Sequence, residues 1–137
     1  MVQYELKRLQ TEFPAVKIVS IKDAEQVIRQ FYGDDIEIFE SCFILLLNNN
    51  NLTIGYAKIS QGGITGTVVD TRLVAKYAIE SLATAVILAH NHPSGNLNPS
   101  DADRKITKKI REGLDIFDIR LLDSMIITKD GCSSVEN

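Results

Sequence analysis

The sequence predicts an α/β domain in which helices cover both faces of a mixed central sheet. Short apolar runs of strand length alternate along the chain with stretches whose apolar residues recur every three or four positions. Two of those runs, Cys42 to Leu47 and Ala85 to Ala89, are apolar throughout, as expected of strands buried on both faces. The 137 residues show no internal repeat, no linker and no low-complexity stretch beyond four consecutive asparagines. One domain spanning residues 1–137 is therefore expected, long enough to bury a substantial core.

Each element has a local reason. Val2 to Leu9 alternates imperfectly and reads as a short strand or an arm. Ser20 opens a helix, because Asp23 three residues on completes a capping-box pattern with Asp in place of the usual Glu or Gln. Ile21, Ala24, Val27, Ile28 and Phe31 form its apolar face, and Gly33-Asp34-Asp35 is expected to end it. Cys42 to Leu47 is a strand, Asn48 to Asn51 a turn, and Leu52 to Ser60 the returning strand of an antiparallel hairpin. Gly62-Gly63 breaks the chain, and Ile64 to Val69 reads as a third short strand.

Asp70 or Thr71 caps the next helix, whose apolar face is Leu73, Val74, Tyr77, Ala78 and Leu82. Ala85 to Ala89 is too short to be a helix by itself and reads as a strand. Ser100 starts a helix with Ala102, Ile106, Ile110 and Leu114 on its inner side. Ile119 to Thr128 is the last expected strand, and the polar tail from Lys129 predicts no element.

Composition narrows the class. A hydrophobic fraction of 45% and a charged fraction of 24% are those of an ordinary soluble globular protein. A net charge of −3 supplies no global attraction to nucleic acid. The two cysteines have neither CxxC spacing nor the density of a disulfide scaffold, so a reducing, cytoplasmic setting is expected. The mixed, polar start Tyr4-Glu5-Leu6-Lys7-Arg8 is unlike a signal peptide, and no apolar run is long enough to span a membrane.

The chemistry concentrates in His90-Asn91-His92-Pro93-Ser94-Gly95, followed by Pro99-Ser100-Asp101-Ala102-Asp103. These words hold both histidines of the chain, two residues apart at the end of an apolar strand, where alternation points them to the same side. Asp103 follows His92 by eleven residues, and the loop between them can fold it back. Two imidazole nitrogens, one carboxylate and an open fourth position make a catalytic rather than a structural zinc site. Taken alone, Ser100 and Asp103 would be a helix N-cap and a first-turn acid, and His90 a hydrogen-bonded core histidine. The N-cap and ligand readings of Asp103 are compatible with each other.

Glu40, just ahead of the buried run 42–47, is the candidate proton shuttle. Its bland alternative is a solvated acid at a strand start, and Glu37 is the fallback shuttle. A zinc deaminase would need His-x-Glu and a later Pro-Cys-x-x-Cys, both absent here. The letters His90-Asn91-His92 match the name of the HNH nucleases only superficially, since that name describes dispersed residues. Gly62-Gly63-Ile64-Thr65-Gly66 is too short for a phosphate loop and lacks its lysine. Ser94 or Cys42 as a nucleophile would need a histidine base, and both histidines are better used as ligands. The basic segment Arg104 to Arg111 reads as the solvated face of a helix with Ile106 and Ile110 inward, or as a docking patch for an acidic partner or a nucleic-acid backbone.

His90-x-His92-Pro93-x-Gly95 with Ser100-x-x-Asp103 resembles the JAMM motif of JAB/MPN metalloprotease-like domains. Ile87-Leu88-Ala89 before it, Asp118-Ile119-Arg120-Leu121-Leu122-Asp123 after it, and Ser60-x-Gly62-Gly63-Ile64-x-Gly66-Thr67-Val68-Val69-Asp70 are similar to the RadC-like branch. The resemblance covers a core of about residues 36–128, with 1–35 as an N-terminal arm and helix. It implies a three-layer α/β/α, cytidine-deaminase-like fold holding one Zn2+ per chain. It further implies His90, His92 and Asp103 as ligands, Ser100 as oxyanion donor and Glu40 as general base and then acid. The implied reaction is hydrolysis of a peptide or isopeptide amide by a zinc-activated water, with a peptide or protein as substrate. The family's DNA-repair label implies an alternative, a repair or mobile-element accessory protein that binds nucleic acid or a protein partner. A third reading makes the metal a staple for the loop from Pro93 to Ser100.

Two departures stand out. Ser124 occupies the position where RadC-like proteins usually carry a histidine after Leu-Asp. The helix-hairpin-helix region that often precedes this domain is absent from the sequence, so DNA contact through it gains no support.

Overall fold

The computed structural model describes residues 1–5, 7–63 and 68–136. Among these residues five strands form one mixed sheet: β1 (Ser41–Leu47), β2 (Thr53–Gln61), β3 (Ala85–Asn91), β4 (Arg120–Ile127) and β5 (Cys132–Ser134). Their spatial order is β2-β1-β3-β4-β5. Only β3 and β4 run parallel; β1 pairs antiparallel with both β2 and β3, and β5 returns antiparallel on β4. Three helices complete the fold: α1 (Ile21–Arg29), α2 (Thr71–Glu80) and α3 (Asp101–Asp115).

Alternation divides the two central strands between two cores. Cys42, Ile44 and Leu46 of β1 and Val86 and Leu88 of β3 pack with Val74 and Ala78 of α2 and Ile110 and Leu114 of α3. Leu45 and Leu47, with Ala85, Ile87 and Ala89, pack on the opposite face against Ala24, Val27 and Ile28 of α1. Every residue of β1 and of β3 is buried, which is why both read as uninterrupted apolar runs. The α/β fold with helices on both faces of a mixed sheet is the one the sequence predicts.

The capping box at Ser20 and Asp23 forms as expected: Ser20 Oγ accepts from the Asp23 N–H, and the Asp23 carboxylate accepts from the Ser20 N–H. Asn51 takes a left-handed φ of 56° in the hairpin turn, and Asn48 Oδ1 accepts from the N–H groups of Asn50 and Leu52. Asp70, rather than Thr71, is the cap of α2.

Several expectations need correction. α1 ends at Arg29 with Gln30 as its cap, and Gly33 instead precedes a 3-10 turn, Asp34–Glu37. Ile21 and Leu73 are largely exposed, and Leu82 lies past the end of α2, exposed, with a φ of 60°. On the inner face of α3, Ile106, Ile110 and Leu114 pack as expected and the buried Thr107 joins them, while Ala102 is exposed. The helical stripe runs through Asp103, so Ala102, 100° away, turns outward. Residues 2–5 and 7–9 form no strand. The tail holds β5 and the buried Val135, neither of which was expected. The short strand read at Ile64 to Val69 falls mostly outside the described residues.

Arg29 ties α1 to the β4–β5 turn. Its guanidinium donates to the carbonyls of Thr128 (2.8 Å) and Gly131 (3.0 Å) and to Glu25 Oε2 (2.8 Å). Arg29→Ala is expected to cost about 1–2 kcal/mol after discounting its partial exposure, read as a lower urea midpoint at unchanged slope. An unchanged midpoint would mean that the turn holds itself. Among the described residues no helix is long and apolar enough to cross a membrane.

Candidate metal centre

β3 delivers the two histidines. His90 lies opposite Cys42 of β1, on the α2/α3 side of the sheet, and His92 follows two residues later on the same side. The chain then turns sharply: the Gly95 N–H donates to the His92 carbonyl (3.0 Å), and Gly95 adopts a φ of +84°, a conformation that side chains resist. This loop brings the first turn of α3 back over the strand end.

Asp103 there has two roles. It is the third residue of α3, and its Oδ2 accepts from the Ser100 N–H (2.8 Å) while Ser100 Oγ accepts from the Asp103 N–H (3.0 Å). The same carboxylate places Oδ1 3.1 Å from His90 Nε2 and Oδ2 3.2 Å from His92 Nε2. Helix cap and ligand geometry coexist in one side chain. Glu40, one residue before β1, brings Oε1 to 3.8 Å from His90 Nε2. Ligand atoms of Glu40, His90, His92 and Asp103 all lie within 4.8 Å of one another.

The donor set fits a metal ion. The two Nε2 atoms are 3.0 Å apart. Ligands about 2.0–2.1 Å from a tetrahedral ion are separated by about 3.3 Å, close to the nitrogen–nitrogen and nitrogen–oxygen spacings here. His92 Nδ1 lies 2.7 Å from the Asn96 carbonyl and can only donate to it, which leaves the Nε2 lone pair facing the cluster. The His92 Nε2 lone pair and the Asp103 carboxylate, 3.2 Å apart, repel each other unless a proton or a metal ion lies between them.

The electrostatics agree. The hydrogen bond to Asp103 holds the His92 pKa above the ordinary histidine value, against the opposing effect of burial. Burial pushes the Asp103 carboxyl up, but hydrogen bonds from His90 and His92 outweigh it and hold the group well below the usual carboxylate range. Glu40 moves the other way: burial raises it, the histidines pull it back, and Asp103 raises it further, leaving a net rise.

The structure thus gathers Glu40, His90, His92 and Asp103. The Glu40 side chain is only 14% exposed, so it is not the solvated acid of the bland reading. Glu37 is not among them: it sits in the 3-10 turn, its Oε1 3.6 Å from Lys129 Nζ at the surface. Ser100 stands at the helix cap beside the cluster, with its hydroxyl hydrogen still available to donate. Cys42 is fully buried, and burial pushes its thiol up to about 12, which removes it as a nucleophile. Ser124, fully buried, accepts a hydrogen bond from the Thr107 hydroxyl (2.9 Å) and so links β4 to α3 one turn beyond Asp103. A cleft of about 270 Å3 opens on the far side of the loop between Pro93, Leu97 and Gly131, and none of the four gathered side chains lines it.

Fold and cluster together define an α/β domain with a candidate metal centre at the end of its central strand. The chain belongs to the RadC-like JAB domain family, whose model matches residues 18–137. It is 50% identical over 113 residues to a UPF0758 protein of Flavobacterium johnsoniae, covering 82% of this chain and 48% of that protein. A UPF0758 protein of Porphyromonas gingivalis is 40% identical over 92 residues, 67% of this chain and 40% of its own length. One from Vibrio cholerae is 45% identical over 91 residues, 66% of this chain and 57% of its own length. The chain therefore spans about half the length of these curated relatives.

Proposed function

We propose that this domain is a zinc-dependent hydrolase of peptide or isopeptide amide bonds. The observation that carries the reading is the fourth group: beside a three-ligand set of two imidazoles and a carboxylate stands a second carboxylate, Glu40, within reach of the same point. A purely structural site closes its coordination with protein ligands, whereas a hydrolytic site keeps a position open and a base next to it.

His90, His92 and Asp103 would hold the ion. Bound zinc supplies Lewis acidity, polarising a carbonyl and bringing the pKa of water toward about 7. Glu40 takes the proton of the attacking water and returns it to the leaving amine. Its largely buried carboxyl stands just ahead of the strand that pairs with β3, beside His90, which suits it to both transfers. Ser100 donates its hydroxyl hydrogen to the developing oxyanion, while its Oγ remains fixed by the Asp103 N–H. A cytoplasmic setting accords with the two free cysteines, Cys42 and Cys132.

Metal analysis of protein purified without chelator tests this reading. Close to one zinc per chain is expected, falling to near zero in His92→Ala and in Asp103→Ala. A wild-type protein that takes up no zinc even after reconstitution would sink the hydrolase reading. Ser100 and Asp103 would then be a helix cap and nothing more.

The exposed lysines Lys105, Lys108 and Lys109 on α3 favour a second reading, a docking face for a nucleic-acid backbone or an acidic protein partner. The net charge of −3 weighs against it. Salt-dependent DNA binding that disappears when the three lysines are neutralised would support it.

A further inference from the structure

Between the two histidines, Asn91 points the other way. Alternation along β3 sends His90 and His92 to the metal side and Asn91 to the α1 side of the sheet. The side chain is completely buried, yet its carboxamide is fully engaged. Asn91 Oδ1 accepts from the Ser41 N–H (2.7 Å), and Asn91 Nδ2 donates to the carbonyls of Ile36 and Phe39 (both 2.7 Å). The amide orientation is unambiguous, since an N–H needs an acceptor and two carbonyls need a donor.

All three partners belong to the segment that carries Glu40. Two of the bonds go to the residues immediately before and after it. The Glu40 carbonyl itself accepts from the Gly62 N–H (2.8 Å), and the Tyr32 hydroxyl donates to the Ser41 carbonyl (2.8 Å). The backbone at 39–41 is therefore held from the β2 side, from the α1 side and, through Asn91, from the strand bearing the histidines. Asn91 adds side-chain bonds on both sides of Glu40 to the backbone pairing of Cys42 with His90.

We infer that Asn91 is the positioning residue that sets Glu40 against His90 and His92. It touches neither the cluster nor any reacting atom; it acts through the backbone on either side of Glu40. The tripeptide 90–92 thereby arranges three of the four gathered groups, two as its own side chains and the third by hydrogen bonds. Neither Asp nor Ala meets the requirement here. Asp at the same size would accept from Ser41 but face two carbonyls with negative charge, and Ala would leave an N–H and two carbonyls unpaired in the interior. The inference rests on the proposed hydrolase for the use of Glu40, but its geometry can be measured without any turnover.

Hydrogen exchange at single-amide resolution is the test. In the wild type the Ser41 amide is expected to exchange as slowly as the amides of Phe43 to Leu47, although its acceptor is a side chain. In Asn91→Ala its protection should fall at least about tenfold, as for a lost buried hydrogen bond, with residues 43–47 and 85–89 unchanged. Zinc content should stay near one per chain, because no ligand is altered. Amide hydrolysis should fall as far as in Glu40→Gln, with no further loss in the double variant.

Fast exchange of Ser41 in the wild type would overturn the inference without any variant, which covers the case in which the variants fail to fold. So would unchanged Ser41 protection in a folded Asn91→Ala protein, or additive losses in the double variant with Glu40→Gln. A wild type that holds no zinc but shows the Ser41 pattern would remove the hydrolase reading while leaving the coupling of Asn91 to Glu40 in place.

Discussion

Glu40→Gln is expected to lower kcat for a cleavable peptide or isopeptide by about 10²–10⁴-fold while leaving one zinc per chain bound. The carboxamide keeps the size of the side chain and loses the ability to take a proton. The structure separates this effect from ligand loss. Glu40 approaches His90 Nε2 at 3.8 Å, whereas Asp103 stands closer, at 3.1 and 3.2 Å from the two imidazoles. Kinetics at saturating substrate, with the metal content of the same samples, check the result. Retained turnover would remove Glu40 from the chemistry, and a parallel loss of zinc would recast it as a fourth ligand.

Ile110→Ala should lower stability by about 2–5 kcal/mol. Ile110 is fully buried, shares a core with Val86 and Leu88, and belongs to the same helical stripe as Asp103, Thr107 and Leu114. Truncation opens a cavity beneath α3, and close packing on both sides limits how far the helix can settle into it. Against a total stability of about 5–15 kcal/mol for a domain of this kind, the loss is a large share. Urea denaturation should show a lower midpoint at unchanged slope. A shift below about 1 kcal/mol would mean that α3 sits less firmly on the sheet than its burial indicates.

The parts of the fold that were legible in the sequence share a physical cause. β1 and β3 are buried on both faces, so nothing interrupts their apolar runs, and the capping box at Ser20 is a local pattern with a local consequence. β5 was illegible because its residues are small and polar and its partner is the end of β4. The Asp130-Gly131 pair between them was the available hairpin signal. Leu82 fits helical spacing but lies beyond the cap, where the chain takes a left-handed turn. Within the candidate site, the histidines stood out because they are the chain's full complement, and Asp103 because a capping pattern marked the helix that carries it. Asn91 gave no signal. Its partners lie about 50 residues away along the chain, and only the pairing of β1 with β3 brings them together.

That pairing also divides the centre by chain topology. His90, His92 and Asp103 come from one uninterrupted passage, the strand β3, its loop and the start of α3. Glu40 arrives from a separate part of the chain, ahead of β1. On the proposed reading, holding an ion and using it are encoded in different segments. A single substitution at residue 40 would leave the β–loop–α passage intact as a binding unit, and restoring one carboxylate would return the chemistry. On the proposed reading, a lineage could pass between hydrolase and inert metal binder by one substitution at residue 40.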